Sequence, residues 1–151
     1  MQEERIADKY LRIYQKLCLL PFGYALLSLV STFIAYADES IALTLSFYLI
    51  RGLHLIPLQL IYLWIIGIGI TLVFLFLSAY GAKGRWKLLI IPTALGFADM
   101  IYGIFLYGAM TPLQFFLGLA MHILFLIGMA FTFIYAYKTT KALKAEVAPR
   151  P

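Results

Sequence analysis

The sequence predicts an all-α, polytopic membrane protein, with four transmembrane helices in an up-down bundle and both termini in the cytoplasm. Three observations carry that reading. Of the 151 residues, 64% are hydrophobic and only 13% are charged, against roughly 25% charged in an ordinary soluble domain. Four apolar stretches are long enough to cross a hydrocarbon core of ~30 Å, which takes roughly 20 helical residues. Once those spans are drawn, eleven of the twelve Lys and Arg residues fall on one side of the membrane, the asymmetry of cytoplasmic loops.

A chain this short cannot hide so much apolar surface in its own interior, because small folds leave most residues in contact with solvent. With a mean hydropathy of +0.93, that solvent must be lipid. Disorder, a nucleic-acid-binding domain and a disulfide-stapled secreted domain are excluded on the same grounds. The net charge of +5 then reads as loops facing anionic lipid, and no nucleic-acid partner is expected. Cys18 is the single cysteine, so no intramolecular disulfide and no thiolate metal cluster can form.

Residues 1–16 predict an amphipathic helix in the cytoplasmic interface. Arg5, Lys9, Arg12 and Lys16 recur at helical spacing as one basic stripe, with Ile6, Tyr10, Ile13 and Leu17 forming an apolar stripe beside it. The first span covers 17–37. Ala35-Tyr36-Ala37 has the small-x-small form of a cleavage site, but the apolar run is longer than a signal h-region. An uncleaved first helix is expected. Residues 41–56 are apolar too, yet Arg51, Gly52 and His54 interrupt them and Pro57 stops them. They predict an outer interfacial or re-entrant segment, since a fifth span would spoil the charge asymmetry. The second span covers 58–80 and the third 88–108, across a turn with Lys83, Arg85 and Lys87. The fourth covers 113–137, and 138–151 is a basic cytoplasmic tail. The whole chain reads as one membrane domain of the plasma membrane.

Asp99 is the only charged side chain inside a predicted span. A carboxylate at the bilayer centre costs at least ~2.5 kcal/mol on insertion scales, so it should face the bundle interior and have a partner. Depth arithmetic names one. Asp99 lies about 16 Å above the start of the third span and His122 about 14 Å below the start of the fourth, at 1.5 Å per residue. The short connection at 109–112 makes those helices antiparallel neighbours. Tyr102, one turn from Asp99, offers a further hydroxyl. Gly67, Gly69, Gly96, Gly103 and Gly118 are the small residues expected to let the helices approach.

Asp99, His122 and Tyr102 are thus the candidate ligand or proton site. A haem held by His54 and His122 is not expected, because their depths differ by about 15 Å. No cofactor or metal is expected. No paired carboxylates, metal motif, nucleophile–base pair or phosphate-binding loop stands in the spans, so the chain leans away from an enzyme. The expected function is an accessory subunit of a larger membrane complex, or a self-associating bundle, with lipid as its surroundings. Two alternatives remain: a binding or transport protein for a lipid-like or weakly polar solute, possibly proton-coupled, and a membrane enzyme acting on a lipid-like substrate. Cys18 is open to palmitoylation or to simple packing.

Overall fold

The computed structural model describes residues 6–37, 60–106, 108 and 111–147. The fold is all-α: α1 (Ile6–Leu17), α2 (Leu20–Ala37), α3 (Leu60–Ala82), a 3₁₀ turn (Trp86–Leu89), α4 (Ile90–Phe105) and α5 (Pro112–Val147). Among the described residues, four stretches are long and apolar enough to cross a membrane: Ile6–Ser31, Trp64–Ala82, Trp86–Phe105 and Phe115–Ala145. They pack as a bundle, the architecture of a multi-pass membrane protein. The outer segment expected over 41–56 lies outside the described residues, as do Arg5 and His54.

α5 is the hub. It packs against α1, α4 and α2, while α2 also lies along α3. Its buried residues are Gly118, His122, Phe125, Met129, Thr132, Ala136 and Thr139, alternating steps of four and three. α3 buries Gly67, Thr71, Phe74, Ser78 and Gly81 in the same rhythm, and Leu89 of the 3₁₀ turn with Pro92, Gly96, Asp99 and Gly103 of α4 continues it. A seam repeating every 3.5 residues is the pattern of helices winding round one another with a left-handed twist. The seam is small or polar at most positions, and the large aliphatic residues, such as Ile65, Leu72, Leu124 and Ile134, face outward. That inversion suits a bundle whose solvent is hydrocarbon, where close backbone approach replaces the hydrophobic drive between helices.

The hydroxyls in this seam are mostly satisfied within their own helices. Thr71, Thr132 and Thr139 donate to the carbonyls of Gly67, Gly128 and Tyr135, four residues back, at 2.8–2.9 Å. Such back-bonding makes a polar seam tolerable where no water can reach. Ser78 Oγ, fully buried, is the exception and finds no partner among the described residues.

Three features add to these expectations. α5 does not end near Tyr137; it continues to Val147, so much of the expected tail is helix. α1 lies against that extension and also reaches α3. Its buried positions are Ala7 and Tyr14, with Leu11 packed beside them, whereas Ile6 of the expected apolar stripe is 66% exposed. The packed face is therefore turned by about one residue, because small Ala7 and long Tyr14 fit against α5 and α3. Tyr14 Oη donates to the Gly81 carbonyl at 2.5 Å. Finally, Cys18 is fully buried, which removes it as an accessible acylation site.

α3 closes with a Schellman motif. Arg85 N–H bonds the Tyr80 carbonyl at 3.3 Å and Gly84 N–H bonds that of Gly81 at 2.9 Å, with Gly84 at φ +91°. Gly84→Ala is expected to cost about 1 kcal/mol, since a Cβ disfavours that backbone region. Gly69→Ala should leave the melting temperature unchanged or raised, because a Cβ there meets nothing within 4 Å. Thermal melts in detergent check both.

Candidate functional site

The seam of α4 carries Asp99 and the seam of α5 carries His122, and the short α4–α5 connection brings the two helices side by side. Asp99 Oδ2 lies 2.8 Å from His122 Nε2. Asp99 is 7% exposed and His122 3%, so the pair sits inside the bundle.

The hydrogen-bond pattern assigns the imidazole. His122 Nδ1 stands 2.7 Å from the Gly118 carbonyl, and a carbonyl only accepts, so Nδ1 carries a proton. That leaves Nε2 facing two groups at once: Asp99 Oδ2, and the Tyr24 hydroxyl at 2.7 Å. A neutral ring accepts at Nε2 from the Tyr24 hydroxyl or from a protonated Asp99. A charged ring donates there to the carboxylate. The charged ring with a carboxylate and the neutral ring with a protonated Asp99 differ only in the position of one proton.

Tyr24 reaches the site from α2. Its ring stacks on Phe125 at 4.3 Å and 19° and meets His122 edge-on at 5.5 Å and 80°. Phe125 in turn closes over Gly96, where an added Cβ would come within 2.5 Å of the Phe125 ring. Three helices therefore converge on His122: α2 through Tyr24, α4 through Asp99 and Gly96, and α5 through its own backbone at Gly118. Ser28 and Ser31, one and two turns beyond Tyr24, are also buried.

The expected third member, Tyr102, is not there. It is 36% exposed and lies off the seam, which passes from Asp99 to Gly103. Among the expected packing glycines, Gly67, Gly96, Gly103 and Gly118 are buried, whereas Gly69 is exposed with open space beside it. Two residues advance a helix by about 200°, so Gly67 and Gly69 cannot share a face. Gly81 and Gly128 are the glycines that sequence reasoning missed. An added Cβ would lie 2.7 Å from Leu89 at Gly81 and 2.8 Å from Leu20 at Gly128. Tyr24 was missed as well. The available signal was the helical spacing of Tyr24, Ser28 and Ser31 on a mostly apolar helix.

Among the described residues there is no group of three or more His, Cys, Asp or Glu side chains able to hold a metal ion. Haem ligation through His122 does not fit either, since both ring nitrogens are engaged within the chain. Comparison with protein-family models, curated proteins and solved structures gives no match.

Proposed function

We propose that the protein is a non-catalytic membrane component, either an accessory subunit of a larger complex or a self-associating bundle. In this reading the Tyr24–Asp99–His122 cluster is its internal polar lock. One observation carries it. All three residues are at most 7% exposed, and both nitrogens of His122 are spent on partners inside the chain. A site built to capture an external solute needs an approach and spare polar atoms; this one is closed by Phe125 and Tyr24. What such a cluster supplies is register, since in hydrocarbon a misaligned helix would strand a polar group. The outward faces, rich in Ile, Leu and Phe, are left for lipid or for a neighbouring subunit. In this reading the protein belongs to the plasma membrane with both termini in the cytoplasm, supported by the basic residues of α1, the α3–α4 turn and the end of α5.

Native mass spectrometry in mild detergent tests this. A discrete assembly heavier than the 17.1 kDa chain is expected, and it should persist in Tyr24→Phe, which loosens the lock without changing the outer surface. A monomer at every concentration, with no second subunit bound, defeats the proposal.

The two partners of Nε2 favour one other reading, a proton-coupled binding or transport protein whose cluster moves one proton between alternative bonds. It requires a proton or solute flux in liposomes that Asp99→Asn abolishes. Flux that is absent, or unchanged in Asp99→Asn, removes it.

A further inference from the structure

A second feature lies near the C-terminal end of α5, away from the cluster. Between α1, the α3–α4 turn and the last turns of α5 there is a groove of about 460 Å³, within the size range of small-molecule pockets. Leu11, Trp86 and Leu143 are its large apolar lining residues, and Thr139, Thr140 and Lys144 line it with polar groups. Along α5 it begins roughly 21 Å beyond His122, at 1.5 Å per residue. It is independent of the polar lock.

Depth identifies what surrounds it. The apolar stretch of α5 begins at Phe115, and a hydrocarbon core of ~30 Å takes it to about Tyr135. The groove residues of α5 start at Ala136, at the level of the lipid headgroups. Trp86, 37% exposed and edge-on to Phe133 at 6.3 Å, is placed as interfacial tryptophans are.

Charge identifies the sign of an occupant. Lys83, Arg85 and Lys87 flank Trp86 on the turn, and Lys138, Lys141 and Lys144 follow one another on α5, all exposed. Lys83 and Arg85 rest 5.6 Å from the face of Tyr80, and Lys138 lies 5.3 Å from that of Tyr135. These contacts restrain three cations on the turn and the helix that bound the groove. Asp8 and Glu146 are the carboxylates on the same helices, so the end remains strongly basic. An apolar wall at headgroup depth beside a cationic rim matches a molecule with an acyl chain and a phosphate.

We propose that this groove is a binding site for an anionic phospholipid, with the acyl chain against Leu11, Trp86 and Leu143 and the phosphate at Lys144. Each hydroxyl already donates to its own helix, Thr139 to Tyr135 and Thr140 to Ala136. Neither has a second proton to give a phosphate, so Lys144 makes the polar contact and supplies the charge.

The test uses Trp86 as its own reporter. The chain has two tryptophans, so Trp64→Phe leaves Trp86 alone. In phosphatidylcholine vesicles, brominated phosphatidylglycerol should quench Trp86 more strongly than brominated phosphatidylcholine at equal mole fraction. Lys144→Gln should lower that preference about fivefold, the worth of one cation beside an anionic surface. Thr140→Phe, at an exposed position, should fill the groove and abolish the preference; if it does not fold, Lys144→Gln decides alone. Equal quenching by the two lipids, or a preference that survives Lys144→Gln, overturns the proposal. Loss of the preference on adding inorganic phosphate would assign the site to a free anion instead. Quenching that follows protein density rather than lipid type would assign it to a second copy of the chain.

Discussion

His122→Leu should destabilise the bundle by about 3 kcal/mol, at the low end of the cost of breaking a buried ion pair, whereas Asp99→Leu should cost only about 1 kcal/mol, the scale of one polar contact between membrane helices. The asymmetry follows from where the bonds meet. Removing Asp99 leaves His122 still bonded to Gly118 and able to accept from Tyr24. Removing His122 takes from Asp99 and Tyr24 the one nitrogen they share, in a layer with no water to replace it. The double variant Asp99→Leu/His122→Leu should be more stable than His122→Leu, because the buried carboxyl that lost its imidazole is gone. Unfolding in mixed micelles, followed by circular dichroism, measures all three. If Asp99→Leu is as costly as His122→Leu, or His122→Leu is benign, the imidazole is not the centre of the cluster.

The second large effect is expected at a residue with no polar atom in its side chain. Gly96→Ala places a Cβ 2.5 Å from the Phe125 ring, and that ring has nowhere easy to go, since its face is stacked on Tyr24. A forced shift of this kind in a packed core costs about 2 kcal/mol. The displacement passes to Tyr24 and hence to the hydroxyl that meets Nε2. Gly96→Ala/Phe125→Leu, which makes room for the methyl group, should recover much of the loss. Wild-type stability in Gly96→Ala alone would show that the helices are not held this closely.

The Asp99–His122 pair was legible in the sequence because two local rules suffice to find it. Helix rise converts residue number to depth, and a short connection makes two helices neighbours. No such rule reaches Tyr24. It is on α2, which is linked to α3 through the long stretch 38–59 and meets α5 only through the packing of the whole bundle. Tyr102 was the tempting substitute, three residues from Asp99. Yet three residues advance a helix by about 300°, and the α4 seam takes its next step at four, to Gly103. The same spacing rule separates Gly67 from Gly69. The α5 extension was hidden for a different reason: beyond Tyr137 the sequence becomes basic and polar, so hydropathy stops while helix propensity does not. What keeps that part from lying bare is α1 packed along it.

Composition and the distribution of Lys and Arg determined, with no coordinates, that this chain is a set of apolar helices with a basic end, because lipid exposure and insertion energy are properties of single residues summed along a span. Depth determined that one acid and one imidazole stand level. Only the tertiary structure decided which side of each helix turns inward, that a tyrosine from a sequence-distant helix completes the cluster, and that a groove opens among the basic residues. Those outcomes depend on the rotation of each helix about its axis. Rotation is set by how small residues on several helices fit together at once, and no single segment carries that information.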